Sequence, residues 1–396
     1  MLFRKYVNTN SRSNAIIENK KCGDKMKSFI KMILQVIRRI DYIVLYCLCR
    51  IVYPINNQQV LFLSDSREDM TGNFYFIYEK IKYDYVVKKY LGNHKHYSKF
   101  LICKDMATSH YILVDDFYPL IYPIPLRKKT RLIQVWHAVG AFKTVGFARK
   151  HNQDHFSMTH RNYTDAIVSS SSIRKDYAQA FRMNEEDIHS TGIPRTDIFF
   201  DKSYIEKKKE ELYKKYPLLK DKTVILFAPT FRGNNIHQAY YDFDKIDFEQ
   251  LQSQLSNDYI FIIKMHPFIQ NTYSQQLDSS FYLDLTSERE INDLLLITDI
   301  LITDYSSVIF EASLLNIYTI FYAYDLEEYI SLRDFFYSYE KYTFGPIVKN
   351  QEQLQDAILH PQKDDNKLKD FHDYFMSSCD GHASERFVET LLKEKI

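Results

Sequence analysis

Several short polar clusters in this sequence combine residue types that move a proton or hold an anion. The apolar run Leu132-Ile133-Gln134-Val135-Trp136 ends in His137, with Gly140 and Lys143 just after. Histidine titrates near neutral pH, so His137 suits removal of a proton from a hydroxyl nucleophile. A structural histidine is the plainer reading. The Trp-His dipeptide at a strand end, followed by Gly and Lys, favours the chemical one. In Lys264-Met265-His266-Pro267, Lys264 and His266 can both donate to phosphate oxygens while Pro267 fixes the turn. A loop histidine capping a sheet edge is the alternative. Ser306 and Ser307 sit where a strand gives way to a helix, a place that serves for N-capping and for holding an anion. One turn further on, the Glu311 carboxylate can accept from ribose or polyol hydroxyls, or remain a solvated helix charge. Gly192-Ile193-Pro194-Arg195-Thr196-Asp197 is a turn carrying a cation suited to pyrophosphate. Pro229-Thr230-Phe231-Arg232-Gly233 closes another apolar run. Arg127-Lys128-Lys129 with Arg131 reads as a solvated loop, able to face an anionic acceptor or a membrane.

The elements that must position these groups are short apolar runs alternating with amphipathic stretches. Strands are expected at 60–63, 99–103, 111–114, 132–136, 166–169, 223–228, 259–264, 300–303 and 318–322. Helices are expected over most of 74–90, at 202–216, 291–296 and 308–316, and through most of 351–395. Alternating strands and helices mean βαβ units and parallel sheets, whose ligands bind beyond the carboxyl ends of the strands. The polar clusters fall at those ends. Two such series, separated by the charged helix near 202–216, suggest two doubly wound domains, as does a length of 396 residues. The divisions expected are 1–54 for a tail and helix, 55–215 for an acceptor-side domain and 216–396 for a donor-binding domain.

Composition narrows the classes. With 52 Lys and Arg against 51 Asp and Glu, the net charge of +1 gives no bulk attraction to nucleic acid. Five cysteines, an odd number without zinc spacing, fit a reducing compartment. No GxGxxG or Walker loop is present, and no G-x-S-x-G elbow surrounds Ser306-Ser307. The first twenty residues lack the apolar core of a signal peptide. The segment 26–54 is too interrupted by charge to span a bilayer, which takes roughly 20 apolar residues. It is amphipathic instead. Ile30, Ile33, Leu34, Ile37, Ile40 and Val44 share one helical face, and Lys27, Lys31 and Arg38 share another. Such a helix can lie in a membrane interface or pack on the protein's own core.

Taken in order, Gln134-Val135-Trp136-His137 with Gly140, Ala228-Pro229-Thr230-Phe231-Arg232, Lys264-Met265-His266-Pro267 and Thr303-Asp304-Tyr305-Ser306-Ser307 resemble the CDP-glycerol/CDP-ribitol polyol-phosphate transferases of teichoic acid synthesis. Phe321-Tyr322-Ala323-Tyr324-Asp325-Leu326-Glu327 and Gly345-Pro346-Ile347-Val348 extend the match, which runs from about Val60 to Phe387. The resemblance implies an α/β, GT-B-like fold: two Rossmann-type doubly wound domains facing a cleft, here with an N-terminal amphipathic helical segment. It implies a CDP-polyol donor, a lipid-linked glycan or polyol-phosphate acceptor, and a peripheral place on the cytoplasmic face of the cell membrane. His137 matches the catalytic base and His266 the donor-phosphate histidine. Arg195, Pro229, Thr230, Arg232, Lys264, Met265, Ser306 and Ser307 match donor-binding positions; Glu311 stands where glycerol-transferring members have Asp. Those members read Trp-His-Gly-Thr-Pro-Leu-Lys, whereas this chain reads Trp136-His137-Ala138-Val139-Gly140-Ala141-Phe142-Lys143. Together with Phe231-Arg232-Gly233-Asn234 and Leu63-Ser64-Asp65-Ser66-Arg67, that version is more similar to the ribitol-phosphate polymerase branch.

The expected reaction is attack of an acceptor hydroxyl on the β-phosphorus of a CDP-polyol, with CMP leaving. No clustered ligand set argues for an obligatory metal, and stimulation by Mg²⁺ is compatible with that. Transfer of glycerol phosphate, sugar transfer on the same scaffold, and a noncatalytic scaffold role in assembly of a wall or capsular polymer are the alternatives.

Overall fold

The computed structural model describes residues 25–149, 156–233, 236–255, 258–269, 271–273 and 277–393. Most of the expected N-terminal tail, and Asn234, lie outside them. The fold is mixed α/β with two six-stranded sheets. In chain order the strands of the first sheet are β1 (Asn56–Ser64), β2 (Val86–Leu91), β3 (Ser109–Val114), β4 (Arg131–Gln134), β5 (Asp165–Ile167) and β6 (Ile188–His189). Those of the second are β7 (Thr223–Phe227), β8 (Tyr259–Ile263), β9 (Tyr282–Asp284), β10 (Ile300–Thr303), β11 (Tyr318–Tyr322) and β12 (Ile347–Val348). Their spatial orders are β2-β1-β3-β4-β5-β6 and β12-β11-β10-β7-β8-β9. The pairs β1–β2, β1–β3, β3–β4 and β4–β5 in the first sheet are parallel, and so are all five adjacent pairs of the second. Strands such as Val60–Leu63 and Ile260–Ile263 are fully buried continuous apolar runs, as sheets covered on both faces require.

The chain divides into two compact units. One comprises Met1–His137, Val145–Ala166 and Ala178–Ile188; the other comprises Ala138–Thr144, Ile167–Tyr177 and His189–Ile396. Each has its own core. In the first, Tyr42, Tyr46 and Cys49 pack with Ile102, Met106, Ile112 and Leu132. In the second, Phe227, Phe248, Phe261, Ile302, Ile320 and Leu354 are at the centre.

Two local expectations fail. Residues 99–103 are not a strand; Lys99–Thr108 is a helix. It buries Ile102, Cys103, Met106 and Ala107 at helical spacing, while Phe100 and Leu101 stay exposed. A short apolar run does not distinguish strand from buried helix on its own. The helix beginning at Asn73 stops at Ile81, and Val86–Leu91 is strand β2. The short strands β6, β9 and β12, of two or three residues each, were not anticipated.

Residues 25–38 and Ile40–Val52 are helical, with a turn at residue 39. The six apolar residues of the expected face, Ile30, Ile33, Leu34, Ile37, Ile40 and Val44, are 39% to 59% exposed. What the second stretch buries is Tyr42, Tyr46 and Cys49. The Arg127 guanidinium ties that helix down by donating to the carbonyls of Arg50 and Tyr53. Among the described residues no helix is long and apolar enough to cross a membrane.

Candidate active site

Strand β4 ends at Gln134, and its continuation turns sharply. Trp136 has φ +47°, a left-handed conformation unusual for a bulky residue. Two amides hold the turn. The Gln134 side-chain carbonyl accepts from the Trp136 N–H at 2.8 Å, and the buried Asn73 amide donates to the carbonyls of Val135 (2.9 Å) and Trp136 (2.8 Å). His137 emerges from this clamp with its side chain 43% exposed. Its Nδ1 lies 3.3 Å from the Asp115 carbonyl and 3.7 Å from the Asp116 carboxylate. A proton on Nδ1 suits the Asp115 carbonyl and faces the Asp116 carboxylate, and in that tautomer the lone pair is on Nε2. Asp115 itself is buried and paired with Arg67; burial pushes its carboxyl above the usual range. Asn73, Asp115 and Asp116 escaped the sequence reading. The signal for the aspartates was present, because they close strand β3 as His137 closes β4. Asn73 carries no such mark.

The second unit gathers the remaining candidates at the ends of β7, β8 and β10. His266 follows β8. Its Nδ1 accepts the Phe268 backbone N–H at 3.2 Å, so the neutral ring carries its proton on Nε2. Phe231 and Phe268 flank the ring with centroids at 4.8 and 4.7 Å. Burial, and the nearby charges of Lys143 and Lys264, hold its pKa down at about 4. It therefore acts near neutral pH as an N–H donor. Lys264 is buried, donates to the Thr286 carbonyl at 3.1 Å, and has a pKa lowered chiefly by burial. Lys143 is brought down to about 8, mainly by burial, against the opposing pull of Asp304. It belongs to the same unit and lies over the Tyr329 ring at 5.5 Å. The charges of Lys143 and Lys264 thus both act on the His266 ring. Gly140, at φ +67°, is required nearby, since a Cβ there would come within 2.3 Å of the Phe310 ring.

The other expected residues divide by environment. Arg195 and Glu311 form an ion pair, and Glu311 is only 2% exposed, so it is no solvated helix charge. Ser306 Oγ accepts from the Val308 N–H at 3.4 Å. Ser307 occupies the N-cap position without a side-chain cap bond. Pro229 and Thr230 are buried at the end of β7, and the Thr230 N–H donates to Asp304 at 2.7 Å. Arg232 and Met265 are each engaged with the protein's own groups, and Arg232 also lines a pocket of about 620 Å³ with Phe231, Tyr324 and Asp325. Arg232 is buried, bidentate to Asp325 at 2.6 and 2.9 Å, bonded to Asp304 at 2.8 Å and to the Thr230 carbonyl at 2.6 Å. Its guanidinium is engaged in joining the ends of three strands. The Met265 side chain is in the second core, although its N–H donates to Thr286 Oγ1 at 3.1 Å.

The family model described as CDP-Glycerol:Poly(glycerophosphate) glycerophosphotransferase matches residues 45–393, and the chain belongs to that family. It is 45% identical over 351 residues to the teichoic acid poly(ribitol-phosphate) polymerase of Bacillus spizizenii strain W23, covering 86% of this chain and 57% of that protein. This chain therefore spans little more than half of that polymerase's length. It is 36% identical over 384 residues to the teichoic acid ribitol-phosphate primase of the same strain, covering 92% of this chain and 97% of that protein. A solved structure of the wall teichoic acid polymerase TagF aligns with a TM-score of 0.72 at 23% identity, covering 92% of this chain and 97% of that one. At that identity the likeness speaks to the fold.

Proposed function

We propose that this chain transfers a polyol phosphate, ribitol phosphate in preference to glycerol phosphate, from a CDP-polyol to a hydroxyl of a lipid-linked polymer acceptor. The observation that carries the proposal is the state of two histidines, one in each unit. His137 offers a lone pair on Nε2, and His266 offers an N–H beside two lysines of lowered pKa. One suits a base and the other an anion cradle. The relatives' ribitol-phosphate activities support the choice of polyol. The GT-B-like arrangement, with an acceptor-side domain at 55–215 and a donor-binding domain at 216–396, is part of the same reading. The two parallel sheets and the fold likeness support it.

In the proposed reaction an acceptor hydroxyl oxygen attacks the β-phosphorus of the donor. The new P–O bond forms as the bond from that phosphorus to the bridging oxygen breaks, and CMP departs. The hydroxyl proton passes to His137 Nε2. His266, Lys264 and Lys143 hold the phosphate oxygens as charge moves onto the leaving CMP. Arg195, held by Glu311, and Ser306-Ser307 complete the donor contacts. No tightly bound metal is required, and Mg²⁺ acts at most as a stimulant. The exposed apolar face of helix 25–52 seats the enzyme on the cytoplasmic face of the membrane, where an acceptor is met at high effective concentration.

The test is CMP release from CDP-ribitol and CDP-glycerol, side by side, with a lipid-linked acceptor carrying a glycerol-phosphate primer. Release with CDP-ribitol alone is expected, and product length then distinguishes a primase from a polymerase. Release with CDP-glycerol alone overturns the choice of polyol. Release with neither, on an acceptor validated with another transferase, overturns the reaction.

A further inference from the structure

The second unit contains a pocket of about 620 Å³, formed by the loops that follow β7 and β11. The donor contacts proposed above leave it unused, and its size falls within the range of small-molecule sites, roughly 300–1,000 Å³. One wall is fixed in place. The Arg232 guanidinium there lies 5.2 Å from the rings of Tyr305, Tyr324 and Tyr329, and its charge is spent on Asp304 and Asp325.

Two other lining groups are not spent. Arg333 is half-buried, donates to the Gly233 carbonyl at 2.7 Å, and among the described residues has no carboxylate partner. A guanidinium presents its N–H donors in a planar fork, so most of that capacity is left for an anion. Tyr329 is 5% exposed, and among the described residues its hydroxyl makes no hydrogen bond. Exposed parts of the lining add Lys245, the Tyr240 ring and the Glu328 carboxylate. Phosphate oxygens suit Arg333 and Lys245, and hydroxyls suit Glu328 and the Tyr329 hydroxyl. The C–H edges of a carbon chain suit the rings. A chain of polyol phosphates carries all three kinds of group.

The pocket also adjoins the residues proposed to hold the donor phosphates. The Phe231 ring lines it and lies 4.8 Å from the His266 ring, and Lys143 lies over the Tyr329 ring at 5.5 Å. Lys143 and Arg333 are close enough for their charges to oppose one another. We propose that the pocket holds the polyol-phosphate unit of the acceptor that precedes the attacking hydroxyl, with the phosphodiester of that unit on Arg333. This inference rests on the polyol-transfer reading above and gives the acceptor a place beside the donor.

Two measurements on the full chain separate the pocket from the reaction. The first is calorimetric binding of a short ribitol-phosphate oligomer in the absence of donor, with ribitol and inorganic phosphate as controls. Saturable binding of the oligomer is expected, and Arg333→Gln should weaken it about tenfold, the loss of one charge-assisted contact. Tyr329→Phe, which keeps the ring, should weaken it less. Lys245→Gln alters an exposed side chain, so it should weaken binding at an unchanged melting temperature, which distinguishes a lost contact from a fold defect. The second measurement is CMP release with acceptor and donor varied in turn. Each variant should raise the acceptor KM by the factor seen in binding and leave the KM for CDP-ribitol unchanged. Oligomer binding that is absent, equal in wild type and variants, or fully displaced by inorganic phosphate overturns the pocket. So does a rise confined to the donor KM, which would make Arg333 a donor contact. CMP release with an acceptor KM that no variant moves overturns the pocket and leaves the reaction standing. Variant-sensitive oligomer binding without CMP release from any CDP-polyol overturns the reaction and leaves a polyol-phosphate site.

Discussion

His137 depends on a turn that its own sequence neighbourhood does not stabilise. Trp136 is held left-handed, and the Asn73 amide satisfies the two carbonyls on either side of the bend. Asn73→Ala leaves those carbonyls unpaired, at a cost of about 1–3 kcal/mol. Under the proposed mechanism it should lower kcat more than it raises KM for the donor, because His137 is misaimed while His266 and Lys264 keep their places; an equal loss in both would make Asn73 merely structural. His137→Ala should lower turnover by about two to four orders of magnitude, in line with loss of a general base. Near-wild-type CMP release from that variant would remove His137 from the mechanism. Lys143 supplies the pH signature. With its pKa brought down to about 8, it is cationic below that pH and neutral above it. Donor kcat/KM should therefore fall as pH rises through about 8, and Lys143→Arg should move that limb to higher pH. The His266 shift acts on stability. Its folded value of about 4 lies below the ordinary 6.5, so the unfolded chain binds more protons between them. Its contribution is full above pH 6.5 and is lost as pH falls towards 4.

At the scale of elements, the second sheet delivers its chemistry only if the ends of β7, β10 and β11 stay together. Arg232 joins them through Thr230, Asp304 and Asp325. Tyr305 adds to the joint by donating to Asp325 at 2.9 Å and stacking on Tyr329 at 3.8 Å. Removing one partner from such a buried network strands the others, at a cost of about 3–5 kcal/mol. Arg232→Ala should lower the urea midpoint by a corresponding amount, and Asp325→Asn should do so less severely. If Arg232→Ala instead melts normally and raises only the KM for CDP-polyol, Arg232 is a donor contact after all.

For the whole molecule, the N-terminal helical segment has an exposed apolar face and a buried one. Ile30, Ile33, Leu34 and Ile37 are exposed, whereas Tyr42, Tyr46 and Cys49 belong to the first core. Deleting residues 1–54 would therefore remove core as well as surface. Ile30→Asn combined with Ile37→Asn isolates the surface. This variant should pellet with anionic vesicles several-fold less than wild type, with an unchanged far-ultraviolet spectrum and melting temperature. Unchanged pelleting would assign any membrane contact elsewhere, with the exposed Lys128 and Lys129 the first place to look.

Read alone, the residues determined a good deal. Fully buried strands such as Val60–Leu63 and Ile260–Ile263 announce themselves as apolar runs, and polar clusters at their ends mark the ligand side of parallel sheets. That was enough to select His137, His266, Lys264 and the Ser306-Ser307 helix start. Three things waited for the tertiary structure. Apolar content without period made 99–103 read as a strand, whereas it is the start of a helix that packs with Tyr42 and Tyr46. Thr230 and Arg232, both read as donor-binding positions, are parts of one buried network with Asp304. The partners that set proton positions, the Asp115 carbonyl for His137 and the Phe268 N–H for His266, are fixed by how strand ends and their loops fold. Residue type and spacing report which atoms are available. Hydrogen-bond direction, burial and the resulting charge state depend on neighbours that only folding supplies.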